Sequence, residues 1–209
     1  MIKSIDNWLN RITMYRLVLY YLIFLLGAAV LLSLSGILKY DVYSLLFSIS
    51  FLIAVCWLVN WVFARTYKVA ANVESVYISA LILALIISPI KSFGDLWFLF
   101  WAAVLAMSSK YILAINRKHI FNPIALAVAL TYYTLNQSAS WWVGNAAMLP
   151  FVLVGGILVV RKIGRSDLVF SFLIATVATS LVLSLFGGGN LIGDMQMIIL
   201  LSPLFFLPS

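Results

Sequence analysis

The densest chemistry in the chain lies in fifteen consecutive residues, Ser109-Lys110-Tyr111-Ile112-Leu113-Ala114-Ile115-Asn116-Arg117-Lys118-His119-Ile120-Phe121-Asn122-Pro123. The sequence on either side is almost wholly apolar, yet this stretch holds three cations, the only His and two Asn. Pro123 has no N–H and biases Asn122 away from helical geometry, so a helix restarts here instead of running through. Backbone groups freed at membrane depth survive only when buried in protein or lining a wet cavity. Two readings follow. The stretch is either a basic cytoplasmic loop between two spans, or a polar, broken element that grips an anionic cofactor or substrate. In the second reading Lys110, Lys118 and His119 supply positive charge and donors. Asn122 caps the restarted helix, whose positive end favours an anion.

The elements that position this stretch belong to a membrane. Of 209 residues, 65% are hydrophobic and 9% charged, with a mean hydropathy of +1.15. A soluble domain carries roughly 25% charged residues, so the composition is that of an integral membrane protein. The apolar runs are long, uncharged and rich in Leu, Ile and Phe. They do not alternate over about ten residues as the strands of an outer-membrane barrel do. The fold class is therefore all-α, a polytopic membrane helix bundle of seven or eight spans. No cleavable signal peptide is evident, because the first apolar run is too long and lacks a small-residue cleavage site.

Apolar runs place spans near 15–38, 42–63, 74–90, 96–115, 120–135, 141–160 and 168–186, with a last run near 195–208. With the N-terminus cytoplasmic, 11 of the 13 Lys and Arg fall in inside segments, and only Lys39 and Lys91 fall outside. Short loops of inner-membrane proteins show this bias. The net charge of +7 is thus a topology signal, and nucleic-acid binding is not expected. The chain reads as a multi-pass protein of the inner (plasma) membrane. Residues 1–14 form an amphipathic lead, with Ile5, Trp8, Leu9 and Ile12 on one stripe against the inner surface. Residues 15–209 form the transmembrane domain.

Several spans are irregular. Span three ends at Ser88-Pro89 near the outer face, and Glu74 at its inner end is either a helix-start residue or a partner for Lys110. Span six runs through Pro150 and Gly155-Gly156, which favour a kink and close helix contact. Cys56, alone in the sequence, reads as a small packing residue. Other chemistries fall away. One His cannot supply the two axial ligands of a b-type transmembrane haem. No HExxH, GxxxxGK[ST] or CxxC occurs, and no metal site is expected. No acid lies at the middle of a span, which weakens the case for a carboxylate-based proton relay within this chain.

The stretch from Lys118-His119-Ile120-Phe121-Asn122-Pro123 to Ile124-Ala125 resembles the Lys-His-x-Phe-Asn-Pro signature of the RnfD/NqrB family. Two looser stretches accompany it: Ser79 to Pro89, and Trp142-Val143-Gly144 through Gly155-Gly156 to Arg161-Lys162-Ile163. Members are membrane subunits of flavin-containing, ion-translocating NADH:quinone and ferredoxin:NAD oxidoreductases. The resemblance covers about residues 15–209. It implies inverted repeats with discontinuous helices, and electron transfer through a membrane-held flavin. In family members with covalent FMN, a Thr in a Ser/Thr-Gly-Ala-Thr type loop carries it. This chain has Asn136-Gln137-Ser138-Ala139-Ser140 in that place, with no Thr after Ala. A non-covalent flavin, FMN or riboflavin, is therefore expected and covalent FMN is not. The family's late acidic-Pro motif is missing, and the short form is related to membrane domains fused to a FAD/NAD-binding reductase. A fragment truncated at its C-terminus is expected on that ground.

The resulting expectation is the membrane domain of a flavin-linked oxidoreductase. It passes electrons between a cytoplasmic NAD(P)H- or ferredoxin-side module and a membrane acceptor, with membrane lipid around it. Its partner is a fused or separate FAD/NAD-binding or iron–sulfur reductase module. The alternative is a solute transporter or vitamin-binding membrane subunit, because broken helices suit solute binding equally well.

Overall fold

A computed structural model of the chain describes residues 12–69, 73–115, 118–119, 121–137, 139 and 141–187. Most of the amphipathic lead, the last apolar run at 195–208, Arg117, Ser138 and Ser140 lie outside the described residues.

Among the described residues the regular structure is seven helices and one pair of two-residue strands. The helices are α1 (Met14–Leu34), α2 (Val42–Tyr67), α3 (Val73–Ile86), α4 (Phe93–Ile112), α5 (Pro123–Leu135), α6 (Leu149–Ile163) and α7 (Ser166–Gly187). Strands β1 (Ala114–Ile115) and β2 (Lys118–His119) lie between α4 and α5. The all-α class holds. Two helices, α1 and α2, are long and apolar enough to cross a membrane.

The chain divides into two compact units, Val18–Val143 and Met1–Leu17 with Gly144–Ser209. The first contains α2 to α5 and most of α1. Within it, α4 packs along α5 and α2 packs along both α3 and α4. Its core is aliphatic, with Leu22, Leu25, Leu45, Leu52, Leu83 and Leu99 almost wholly buried. Small side chains allow close approach where α4 and α5 meet: Ala102, Ala103 and Ala106 on α4 and Ala127 on α5 have no exposed surface. In the second unit α6 packs against α7.

Local sequence sets the helix ends. Asp41 caps α2 by accepting from the backbone N–H of Ser44 at 3.0 Å. The same helix ends at Lys68, held in the left-handed region at φ 52°. At the start of α4, Asp95 Oδ2 accepts from the N–H groups of Lys91 (2.8 Å) and Ser92 (2.9 Å). One expectation is corrected in the second unit. The sixth helix begins at Leu149, not near 141, and Pro150 stands in its first turn. Pro is tolerated there because its missing N–H would have no helical partner, so it starts this helix and does not kink it. Nor does Gly156 mark a close helix contact, since a Cβ built on it would meet nothing within 4 Å.

Helix α3 is the core of the first unit. Val76 and every residue from Ser79 to Leu85 are buried, as expected for a helix that is apolar all round. Its 14 residues span about 21 Å at 1.5 Å per residue, well short of a hydrocarbon core of about 30 Å. The chain beyond it runs without regular structure from Ile87 to Lys91, with Ile87 and Pro89 buried. Side chains from elsewhere serve the backbone there. Trp142 Nε1 donates to the Ala84 carbonyl at 2.9 Å, and Ile90 N–H donates to Ser48 Oγ at 3.0 Å. Ser48 in turn donates to the Ser44 carbonyl at 2.7 Å. A broken helix buried in protein has to satisfy its freed groups in this way.

Candidate functional site

The fifteen-residue stretch singled out by its chemistry folds as a helix end, a strand pair and a helix start. Helix α4 closes at Ile112, and Leu113 N–H donates back to the Ser109 carbonyl at 2.9 Å. β1 then pairs antiparallel with β2, with Ala114 opposite His119 and Ile115 opposite Lys118. The sequence reading runs the fourth span to 115, whereas Ala114 and Ile115 form β1.

Asn122 does what its position before Pro123 implies. Its backbone is extended (φ −62°, ψ 117°), and Oδ1 accepts from the N–H groups of Ile124 at 3.0 Å and Ala125 at 3.5 Å. Pro123 is the first residue of α5, where its absent N–H is no loss. Replacing Asn122 with Ala is expected to lower stability by about 1 kcal/mol. In thermal unfolding that is roughly 2–4 °C for a chain of this length. An unchanged midpoint in Asn122→Ala would show that the cap does not hold this helix.

Lys110 stands apart from the other three residues grouped with it. Its ammonium turns to α3, donating to the Ser75 carbonyl at 2.9 Å, Ser75 Oγ at 3.0 Å and Ser79 Oγ at 2.6 Å. An ammonium has three N–H donors, and these three acceptors use all of them. To bind a ligand it must give one up. Glu74 sits in the first turn of α3, where the positive end of the helix favours a carboxylate.

The next residue continues the tie. Tyr111 donates its hydroxyl proton to Asn60 Oδ1 on α2 at 2.7 Å. Its ring stacks on Phe63 and Tyr67 with centroids 5.6 and 6.0 Å away. Asn60 is buried, so an acceptor left unmatched there would be costly. Consecutive residues of α4 thus clamp two different helices, α3 and α2. Cys56, buried and unpaired on α2, has the packing role that the sequence implied.

Ser75, Ser79, Asn60 and Tyr111 were not singled out by chemistry in the sequence. The available signal was the spacing of Ser75 and Ser79, four apart on one helix face. A Lys within an apolar run demands such acceptors.

A second feature lies on the outward side of α2 and α3. An open groove of about 460 Å³ is lined by Ser50, Ile53, Ala54, Trp57, Leu58 and Tyr77. No group of three or more His, Cys, Asp or Glu able to hold a metal ion occurs among the described residues. Comparisons with protein-family models, curated proteins and solved structures found no match to the chain.

Proposed function

We propose that the chain is the membrane domain of a flavin-linked electron-transfer oxidoreductase of the RnfD/NqrB type. It lies in the inner (plasma) membrane as a seven- to eight-span bundle of inverted repeats, with its N-terminus and basic loops cytoplasmic. A fused or separate FAD/NAD-binding or iron–sulfur module supplies electrons, and an acceptor in the membrane takes them. The observation that carries this reading is the placing of Lys118 and His119 on a strand shortly before the Asn122 cap. The two basic residues of β2 come three and four positions before Asn122, the cap of the helix that starts at Pro123. Helix starts favour anions through their free N–H groups and dipole. Cationic side chains joined to such a start suit the phosphate or ring edge of a non-covalent FMN or the ring of riboflavin.

Bound there, the flavin would supply the conversion between electron-pair and single-electron transfer. The chain's own residues bind and orient it: Lys118 and His119 donate hydrogen bonds, and Asn122 keeps the helix start in place. Lys110 holds α4 to α3, and so supports the element from which the strands emerge. A second reading, a solute transporter, draws on α3, whose short buried course and side-chain-served break suit a solute site.

The purified chain separates the two. A flavin absorbance spectrum that survives purification is expected, with no fluorescent band at the chain's mass after denaturing electrophoresis. Lys118→Ala and His119→Ala each remove a charged hydrogen bond of about 1.5–3 kcal/mol, or roughly 10- to 150-fold in affinity. Both should lose flavin while unfolding near the wild-type temperature. Full flavin content in both variants would overturn the redox-site reading. A colourless wild-type protein that binds a solute would favour the transporter.

A further inference from the structure

We infer that Ser75 and Ser79 form a monovalent-cation cradle on α3, which the Lys110 ammonium fills from α4 as a tethered cation. The inference is independent of whether flavin binds. Three oxygens converge on one point at 2.6, 2.9 and 3.0 Å, and all three are uncharged. They come from adjacent turns of a single helix, so α3 presents them together without help from another element.

The hydroxyl orientation completes the cradle. Ser79 Oγ donates its own proton to the Ser75 carbonyl at 3.0 Å, which leaves its lone pairs for Lys110. That carbonyl also belongs to the helix ladder, so Lys110 shares it with two other donors and the two hydroxyl oxygens carry most of the cradle. Hydroxyl oxygens that turn their lone pairs to one point make a site for a cation. A neutral amine has only two N–H groups and could not satisfy all three oxygens. Ser79 is buried at 5% exposed, while Ser75 and Lys110 are half-buried, so the cradle opens to one side. Distances of 2.6–3.0 Å from the Lys110 nitrogen to the oxygens suit an ion of ammonium size, which in chemical class means ammonium, a small primary ammonium ion or potassium. Tethering supplies the cation at high effective concentration and ties its presence to the contact between α3 and α4.

Removing the tether should therefore open the cradle to a free cation. The test uses thermal unfolding of the full chain in detergent, with ammonium chloride and choline chloride compared at equal ionic strength. Lys110→Ala should unfold below wild type. Ammonium at about tenfold above its dissociation constant should then raise its midpoint by roughly 3–6 °C. Choline is too large to enter and should do nothing, and wild type should respond equally to both salts. The double variant Lys110→Ala with Ser79→Ala should lose the ammonium response. If ammonium stabilises Lys110→Ala no more than choline does, or stabilises the double variant equally, the cradle does not exist. Should Lys110→Ala fail to fold, Ser79→Ala and Ser79→Thr in the Lys110 background decide. Thr keeps the oxygen and should match wild type, whereas Ala should unfold earlier. A Ser79→Ala protein as stable as wild type overturns the inference.

Discussion

Replacing Ala54 with Asp is expected to raise the free energy of membrane insertion of α2 by about 3 kcal/mol, roughly a 150-fold change in its insertion equilibrium. Ala54 is exposed and lies near the middle of Val42–Tyr67. In water this change would be mild, because an exposed helical Ala replaced by Asp loses only helix propensity, at most about 0.7 kcal/mol. In hydrocarbon the carboxylate has no solvent and no partner, and a residue at the helix centre is too deep for a short side chain to reach the interface. The two environments thus differ several-fold in expected cost at one position. Glycosylation mapping of the Val42–Tyr67 segment in a host protein measures the insertion equilibrium directly. An insertion efficiency unchanged by Ala54→Asp would mean that this face of α2 does not lie in lipid.

The substitution also separates what the sequence could say from what it could not. Apolar run length and composition located the helices well, since a long uncharged run bounded by Asp41 and Arg65 has few other folds available. Two breaks were readable because Pro enforces them: α3 stops before Ser88-Pro89, and α5 starts after Asn122. Pro150 misled because the apolar run continues through it. The sequence between 141 and 148 looks like span to a composition count, whereas Asn145 forms a turn by accepting from Met148 N–H at 3.0 Å. The strand pair was not readable either. Asn116-Arg117 between the strands is not the Asn-Gly type that announces a hairpin.

The candidate site was half legible. Asn122 is a local feature, a capping residue bonded to groups two and three positions on, and such contacts can be read from adjacent residues. The partners of Lys110 are 31 and 35 residues away, and beyond their four-residue spacing Ser75 and Ser79 look like serines that merely bond to their own helix. Helix-face spacing narrows the partners, but it does not choose the neighbouring helix. The closure of the α3 break depends on a still longer reach.

Trp142 makes that closure, and Trp142→Ala is expected to cost about 3–5 kcal/mol. The side chain is 7% exposed, its ring edge meets Tyr40 with centroids 5.0 Å apart, and its indole N–H reaches the Ala84 carbonyl from 58 residues away. In an unbroken helix that carbonyl would accept from the N–H four positions on, at Ser88. Here the helix stops at Ile86, and the indole takes the vacancy. Two effects are combined in the Ala variant, and Trp142→Phe separates them. Phe keeps most of the apolar volume but removes the donor. Its expected cost is about 1–3 kcal/mol, that of a buried acceptor left without a partner. Denaturant titration of the full chain, read by loss of helical circular dichroism, should rank wild type above Phe and Phe above Ala. If Phe matched wild type while Ala remained low, the indole would matter only as volume, and the carbonyl would have found another donor. The break in α3 would then be held by packing and by the Ile90–Ser48 bond, without any need for the indole donor.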